Sequence, residues 1–189
     1  MRYALFGGAF NPPHIAHLFI ADVLVKEFGF ERVLFIPSNI SSHKSTDELL
    51  HPTHRLAMLK NLEEEIPWME VSDCEIRRGG VSYSIDTVKE LYEHNNFDVK
   101  PGLLIGDDLL PDFQSWKNVD DLVSLINLIV AFRTGNGEIV CPYPFTRLEN
   151  LQFAISSSDI RKRIKEHRAY RFMIPESVYE YIEKTGLYT

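Results

Sequence analysis

The chain has 189 residues, 44% of them apolar and 25% charged, with a formal net charge of -7. That length suits one domain with a sizeable core, and the composition is ordinary for a soluble globular protein. The acidic balance excludes a global polyanion binder, so a phosphate site must be a local basic pocket, and no apolar run approaches the roughly 20 residues of a membrane span.

Tyr3 to Phe6 reads as a buried strand that enters a Gly7-Gly8 turn. Leu18, Ala21, Val25 and Phe28 follow at helical spacing, and Gly29 is placed to close that helix. Arg32 to Ile36 is a second strand stopped by Pro37; Ser38 to His51 is polar and loop-like and carries His43-Lys44. Thr53 is placed to cap a helix with the stripe Leu56, Leu59, Leu62 and Ile66. Met69 to Ile76 alternates and reads as a strand, and Arg77-Arg78-Gly79-Gly80 turns the chain. Ser84 is placed to cap a helix through Val88, Leu91 and Tyr92. Gly102 to Ile105 is a third apolar strand, ending in Gly106-Asp107-Asp108. A helix from Val119 to Leu125 leads into a strand from Leu128 to Phe132. Gly135 to Pro144 reads as a flexible connection and Leu151 to Ile155 as a short last strand. Two helices follow, Ser157 to His167 and Pro175 to Lys184. Cys74 and Cys141 match no metal spacing, which leaves buried thiols in a reducing cytosol as the expectation. Arg2 leads directly into the first strand, so no secretory signal pattern is read there.

The densest signal is Gly7-Gly8-Ala9-Phe10-Asn11-Pro12-Pro13-His14-Ile15-Ala16-His17. Paired glycines let a backbone approach a ligand closely, and a helix N-terminus offers unpaired N–H groups and a partial positive charge to phosphate. Imidazoles at i and i+3 share one helix face. The histidine pair alone also suits a metal half-site or a solvated first turn. Strand, glycine turn, prolines and histidines together favour a polyphosphate cradle. A second signal is Ile155-Ser156-Ser157-Ser158-Asp159-Ile160-Arg161. Its serines cap a helix and offer hydroxyls to an anion, and Arg161 can fork onto phosphate oxygens. The plainer reading is a capped amphipathic helix with Ile160 and Ile164 on its core face.

The alternation predicts an α/β fold: a Rossmann-like, doubly wound, mainly parallel sheet with helices on both faces and a C-terminal helical segment. Such sheets bind ligands beyond the carboxyl ends of their strands, where strand order reverses. Gly7-Gly8, Gly106-Asp107-Asp108 and the serine run all stand at expected strand ends.

Together the two motifs resemble the nucleotidyltransferases with a His-x-x-His signature, and the fuller pattern resembles the bacterial nicotinate-nucleotide adenylyltransferases. His43-Lys44, His54-Arg55-Leu56-Ala57-Met58, Ser82-Tyr83-Ser84-Ile85-Asp86-Thr87, Gly106-Asp107-Asp108, Trp116-Lys117, Ala131-Phe132-Arg133, Val178-Tyr179-Glu180-Tyr181-Ile182 and Leu187-Tyr188 extend the match over nearly the whole chain. The resemblance implies one nucleotidyltransferase domain, 1–189, that joins ATP and nicotinate mononucleotide into deamido-NAD and pyrophosphate in the cytoplasm. It implies catalytic roles for His14, His17, Lys44 and Arg161. It implies an ATP site of Gly7, Gly8, Ala9, Phe10, His14, His17, Gly106, Asp108, Ser156, Ser157, Ser158 and Arg161. Lys44, Tyr83, Ser84, Thr87, Trp116 and Arg133 would bind the mononucleotide, with Asp86 turned away. Mg²⁺ would be carried by the ATP phosphates, with no protein metal site. The expected partners are the two small-molecule substrates, without nucleic acid or membrane; a homo-oligomer is compatible with the sequence. Three departures stand out: Asn11 where many relatives carry aspartate, Ala16 where glycine is usual, and no prolines before Lys44.

Trp116 and the Tyr83–Thr87 segment argue against a sister transferase acting on phosphopantetheine or a cytidylyl substrate. The histidines and Arg161 argue against an ATP-sensing module without turnover, which Asn11 and Ala16 would suggest. A short acidic chain without an anticodon-binding region argues against a fragment of a class I aminoacyl-tRNA synthetase.

Overall fold

The computed structural model describes residues 1–41, 49–95, 97–133, 141–150 and 154–189; the side chains of Ser41, Arg133 and Asn150 lie outside the description. Its strands are β1 (Tyr3–Gly8), β2 (Arg32–Pro37), β3 (Ile40–Ser41), β4 (Met69–Val71), β5 (Val81–Ser82), β6 (Gly102–Gly106), β7 (Asn127–Arg133) and β8 (Thr146–Asn150). Its helices are α1 (Ile15–Lys26), α2 (Pro52–Glu65), α3 (Cys74–Arg78), α4 (Ser84–His94), α5 (Val119–Leu125), α6 (Ser157–Lys165) and α7 (Glu176–Thr185). Six strands form one sheet in the order β4-β2-β1-β6-β7-β8, and every pairing in it is parallel. This is the expected Rossmann-like arrangement.

Strands covered on both faces are apolar throughout, and the period of two sorts their side chains between two cores. Ala4, Val33, Phe35, Leu104 and Ile129 pack with Leu24 of α1, Leu59 of α2, Ile160 of α6 and Val178 of α7. Leu5, Leu34, Ile36, Leu103 and Val130 pack with Ile85 and Val88 of α4 and Leu122 of α5. The chain walks outward from β1 through β2 to β4, then returns to lay β6 against the other edge of β1. Strand order reverses there, which opens a crevice beyond the carboxyl ends of β1 and β6. Gly7-Gly8 and Gly106-Asp107-Asp108 both stand at that crevice.

Four local expectations need correction. Met69 to Ile76 is strand only through Val71, and α3 begins at Cys74. Cys74 and Glu75 are buried in succession, which a strand with one covered face does not allow but a helical turn does. The last strand expected at Leu151 to Ile155 is not found at Ala154 and Ile155, which carry no strand pairing and lead into α6; residues 151–153 lie outside the described residues, and the last described strand is β8. That edge strand is polar except for buried Leu148, which hid it from an apolar-run criterion. The α2 cap is His51 rather than Thr53, with Pro52 in the first helical turn, where no amide is needed. The α4 cap is Tyr83 rather than Ser84, through its carbonyl, which accepts from the Asp86 and Thr87 amides. The small parallel sheet of β3 and β5 had no signal in the sequence pattern. Of the connection expected at Gly135 to Pro144, the part through Val140 lies outside the described residues. Among the described residues no helix is long and apolar enough to cross a membrane.

Candidate active site

β1 delivers the glycine turn into the crevice. A Cβ added at Gly7 would meet no atom of the protein within 4 Å, so the space over that residue is open to a ligand. Phe10 takes a left-handed conformation, φ 47°, and its ring is buried between Phe6 and Phe35, with centroids 5.4 Å away in each case. Phe10 therefore anchors the turn in the core and contributes backbone to the crevice. The Asn11–Pro12 peptide is cis. His14 is the N-cap of α1 and His17 its third helical residue. Their rings stack at a centroid distance of 3.6 Å and an interplanar angle of 20°.

The backbone N–H of His14 donates to His17 Nδ1 at 3.1 Å. A ring nitrogen that accepts carries no proton, so His17 presents its Nε2–H as a donor. The same bond satisfies an amide at the start of α1 and fixes the imidazole. Phe6 and Phe10 hold the ring edge-on from the core side, at 5.8 Å and 5.1 Å.

The facing wall is the start of α6. Ser156 Oγ accepts from the Asp159 N–H at 3.1 Å and caps the helix. Ser157 Oγ donates to the Pro12 carbonyl at 2.8 Å, and Arg161 Nη1 donates to the Asn11 carbonyl at 3.0 Å. Arg161 Nη2 also reaches Ser158 Oγ at 3.4 Å. Two motifs separated by 150 positions are thus joined by side-chain bonds to one loop. Asp108 is exposed at the end of β6, and its carboxylate folds back over Gly106 so closely that a Cβ there would collide with Oδ1. A residue with a side chain at 106 would displace that carboxylate.

Residues expected on the mononucleotide side cluster around the start of α4. Tyr83 is exposed, and Lys117 Nζ lies 4.7 Å over its ring while pairing with Asp86 Oδ2 at 2.7 Å. Asp86 is therefore occupied by a cation. Ser84 opens α4 half-buried. Trp116 is half-buried against Phe113, with centroids 4.9 Å apart. Thr87 is buried, and its hydroxyl donates to Glu75 Oε1 at 2.6 Å and accepts from Arg78 Nη2 at 2.7 Å. Its hydroxyl holds α3 to α4 rather than facing the crevice. Lys44 lies outside the described residues, as does the side chain of Arg133, the last residue of β7.

Two residues of the site carried no assigned role in the sequence. Arg55 of α2 is 0% exposed, and its guanidinium donates to the carbonyls of Leu50 and Ala9 at 2.9 Å each and of Asn39 at 3.4 Å. Burial pulls its pKa down, partly offset by Tyr188 and Glu75. Three carbonyls on one guanidinium tie the glycine turn to α2 and to the end of the β2 loop. Tyr188 donates to Asn11 Oδ1 at 2.9 Å, and the Leu50 amide reaches the same oxygen at 3.4 Å. The amide at position 11 thus serves as an acceptor, the part a carboxylate would also play. A charged residue buried inside a helix stripe was the available signal for Arg55; nothing local marked Tyr188.

Among the described residues no group of three or more His, Cys, Asp or Glu side chains is placed to hold a metal ion. The crevice offers imidazoles, a guanidinium, hydroxyls and helix amides, which is a donor set for phosphate oxygens.

Comparison with known proteins agrees with this geometry. The Cytidylyltransferase-like family model matches residues 5–163. A Borrelia hermsii protein is 36% identical over 100% of this chain and 98% of its own length. A Borreliella burgdorferi protein is 37% identical over 100% and 97%, and one from Desulfitobacterium hafniense 38% over 99% and 95%. All three are named "Probable nicotinate-nucleotide adenylyltransferase". Among solved structures, the Plasmodium falciparum nicotinic acid mononucleotide adenylyltransferase complexed with NaAD has a TM-score of 0.77 at 22% identity, covering 99% of this chain and 97% of that one. The same enzyme complexed with APC gives 0.75 at 21%, covering 99% and 96%. At those identities the likeness is one of fold. With the sequence relatives matched end to end, the chain belongs to the nicotinate-nucleotide adenylyltransferase family.

Proposed function

We infer that the protein transfers the adenylyl group of ATP to nicotinate mononucleotide, giving deamido-NAD and pyrophosphate. The observation that carries this reading is the joining of the His14–His17 turn to the Ser157–Arg161 helix start across the strand-order reversal. In this reading the mononucleotide phosphate attacks the α-phosphorus in line, and the bond to the bridging oxygen breaks as pyrophosphate leaves. No covalent enzyme intermediate forms. Such a reaction needs positioning and charge neutralisation more than proton transfer.

The described residues suit that demand. His17 Nε2–H and His14 meet the charge that builds on the bridging oxygen. Arg161 and the α6 amides with Ser157 and Ser158 receive the β- and γ-phosphates. The open side of Gly7 admits the ribose-phosphate backbone, Gly8 being covered by the Phe10 ring, and Asp108 accepts from ribose hydroxyls. Tyr83, Trp116 and the α4 start face the pyridine ring, while Lys44 and Arg133 are assigned to the mononucleotide phosphate. Mg²⁺, held by substrate oxygens and water, would neutralise phosphate charge when bound. We read residues 1–189 as one functional unit working in the cytoplasm on two small-molecule substrates.

The test is purified protein with ATP and Mg²⁺, offered nicotinate mononucleotide, nicotinamide mononucleotide and phosphopantetheine and scored for pyrophosphate. Release that depends on nicotinate mononucleotide is expected. Release with phosphopantetheine alone moves the chain to a sister transferase, and ATP binding without release under any pairing supports a sensing module.

A further inference from the structure

We propose that Tyr188 is a positioning residue for adenylyl transfer: its hydroxyl, donated to Asn11 Oδ1, fixes the phosphate loop against which Arg161 is set. The inference rests on the function read above and adds to it a residue outside both phosphate motifs.

Helix α7 ends at Gly186, and the Leu187 amide turns back to the Ile182 carbonyl at 3.3 Å. Tyr188 then takes a left-handed conformation, φ 66°, which an L-residue with a bulky side chain rarely adopts. Strain of that kind persists where surrounding contacts over-determine it. Here the contacts are the ring, packed against the core shared by α2 and α7, and the hydroxyl, 2.9 Å from Asn11 Oδ1. Burial raises the Tyr188 pKa, while the Arg161 and Arg55 guanidiniums nearby act in the opposite direction. The hydroxyl therefore stays protonated and donates.

Its acceptor is the hub of the loop. The Asn11 side chain takes the Tyr188 hydroxyl, and the Asn11 carbonyl takes Arg161 Nη1 at 3.0 Å. The neighbouring carbonyls are held as well, Ala9 by Arg55 and Pro12 by Ser157. Loss of the Tyr188 bond leaves Asn11 Oδ1 with the longer Leu50 amide contact and loosens the residue whose carbonyl aims Arg161. ATP would be affected, because its phosphates meet this loop. The mononucleotide pocket at the start of α4 would be spared, because none of these bonds reaches it.

Tyr188→Phe removes the hydroxyl and keeps the ring. One neutral hydrogen bond to a preorganised loop corresponds to roughly a fivefold to tenfold loss of kcat/KM for ATP. KM for nicotinate mononucleotide should stay within about twofold of wild type. In an Asn11→Ala background the Phe substitution should add nothing, because the acceptor is gone. Affinity for a non-hydrolysable ATP analogue, measured by calorimetry, gives a second readout that does not depend on turnover. A wild type inactive on every mononucleotide would refute the function reading, and the analogue affinities of wild type and Tyr188→Phe would still decide this proposal. Wild-type behaviour of Tyr188→Phe in both readouts overturns it. So do equal losses for both substrates together with a lowered melting temperature, or additive effects with Asn11→Ala.

Discussion

His17 combines two jobs in one ring, and substitution can separate them. Its Nδ1 accepts the His14 amide at 3.1 Å, which leaves the ring proton on Nε2, the donor that the proposed function uses. His17→Ala loses both. Removal of one preorganised donor to transition-state charge costs about 10²–10³ in kcat. The lost cap bond costs about 0.5–1.5 kcal/mol, a small part of the roughly 5–15 kcal/mol that holds a domain folded. At about 2–4 °C per kcal/mol for a chain this long, the melting temperature should fall by no more than about 6 °C. His17→Asn places an amide oxygen where Nδ1 stood and so restores the cap, without a donor at Nε2. His17→Gln places an amide nitrogen near Nε2 without the Nδ1 acceptor. Pyrophosphate release at saturating ATP and mononucleotide should therefore leave Ala and Asn equally slow and Gln measurably faster than either. Asn should melt closer to wild type than Ala. Turnover of His17→Asn within twofold of wild type would refute the donor role and reduce the histidine to a helix cap.

Arg161→Ala should raise KM for ATP far more than KM for the mononucleotide, since its guanidinium sits on the phosphate loop and α6; a selective loss for the mononucleotide would mean the two phosphate sites are exchanged. With saturating ATP, kcat/KM should favour nicotinate over nicotinamide mononucleotide, because free amides at the start of α4 suit a carboxylate and Lys117 occupies Asp86; equal values would refute that pocket. Arg55→Met should destabilise by about 1–3 kcal/mol in a urea melt, the scale for leaving buried acceptors unsatisfied, because it strands the carbonyls of Leu50, Ala9 and Asn39. A loss below about 1 kcal/mol would show that burying the guanidinium costs as much as its bonds return.

How much of this was legible in the sequence follows the range of the interactions. The strands β1, β2, β6 and β7 are short runs of apolar residues covered on both faces, and their identity needs no knowledge of neighbours. The doubly wound order follows from alternation and the handedness of crossovers, and it places Gly7-Gly8 beside Gly106-Asp107-Asp108 before any contact is known. The glycine turn and the helix start at His14 were readable for the same reason: glycine, proline, histidine and a helix start act through local backbone geometry. The β4–α3 boundary was not, because Met69, Val71, Cys74 and Ile76 carry a mixed period, and Glu75 is drawn inward by Thr87 twelve positions on. Edge strand β8 buries only Leu148 and pairs through its backbone, so side-chain pattern had little to report.

The residues that hold the phosphate loop form a separate case. Arg55 comes from α2, Ser157 and Arg161 from α6 and Tyr188 from the chain after α7, and three of them bind main-chain carbonyls of residues 9, 11 and 12. A carbonyl acceptor exists at every position of every chain, so the loop's own sequence cannot announce which ones are taken. Asn11 was the exception. It was visible as a departure from a family pattern, and its meaning came only with its partner, since Oδ1 of an amide accepts from a tyrosine as Oδ1 of a carboxylate does. The departure therefore leaves the bond to Tyr188 in place while removing a negative charge from a loop that, in the proposed function, receives polyphosphate. By that electrostatic argument Asn11→Asp should keep the fold and the Tyr188 bond, and should weaken ATP binding most at low ionic strength, where the added charge is least screened.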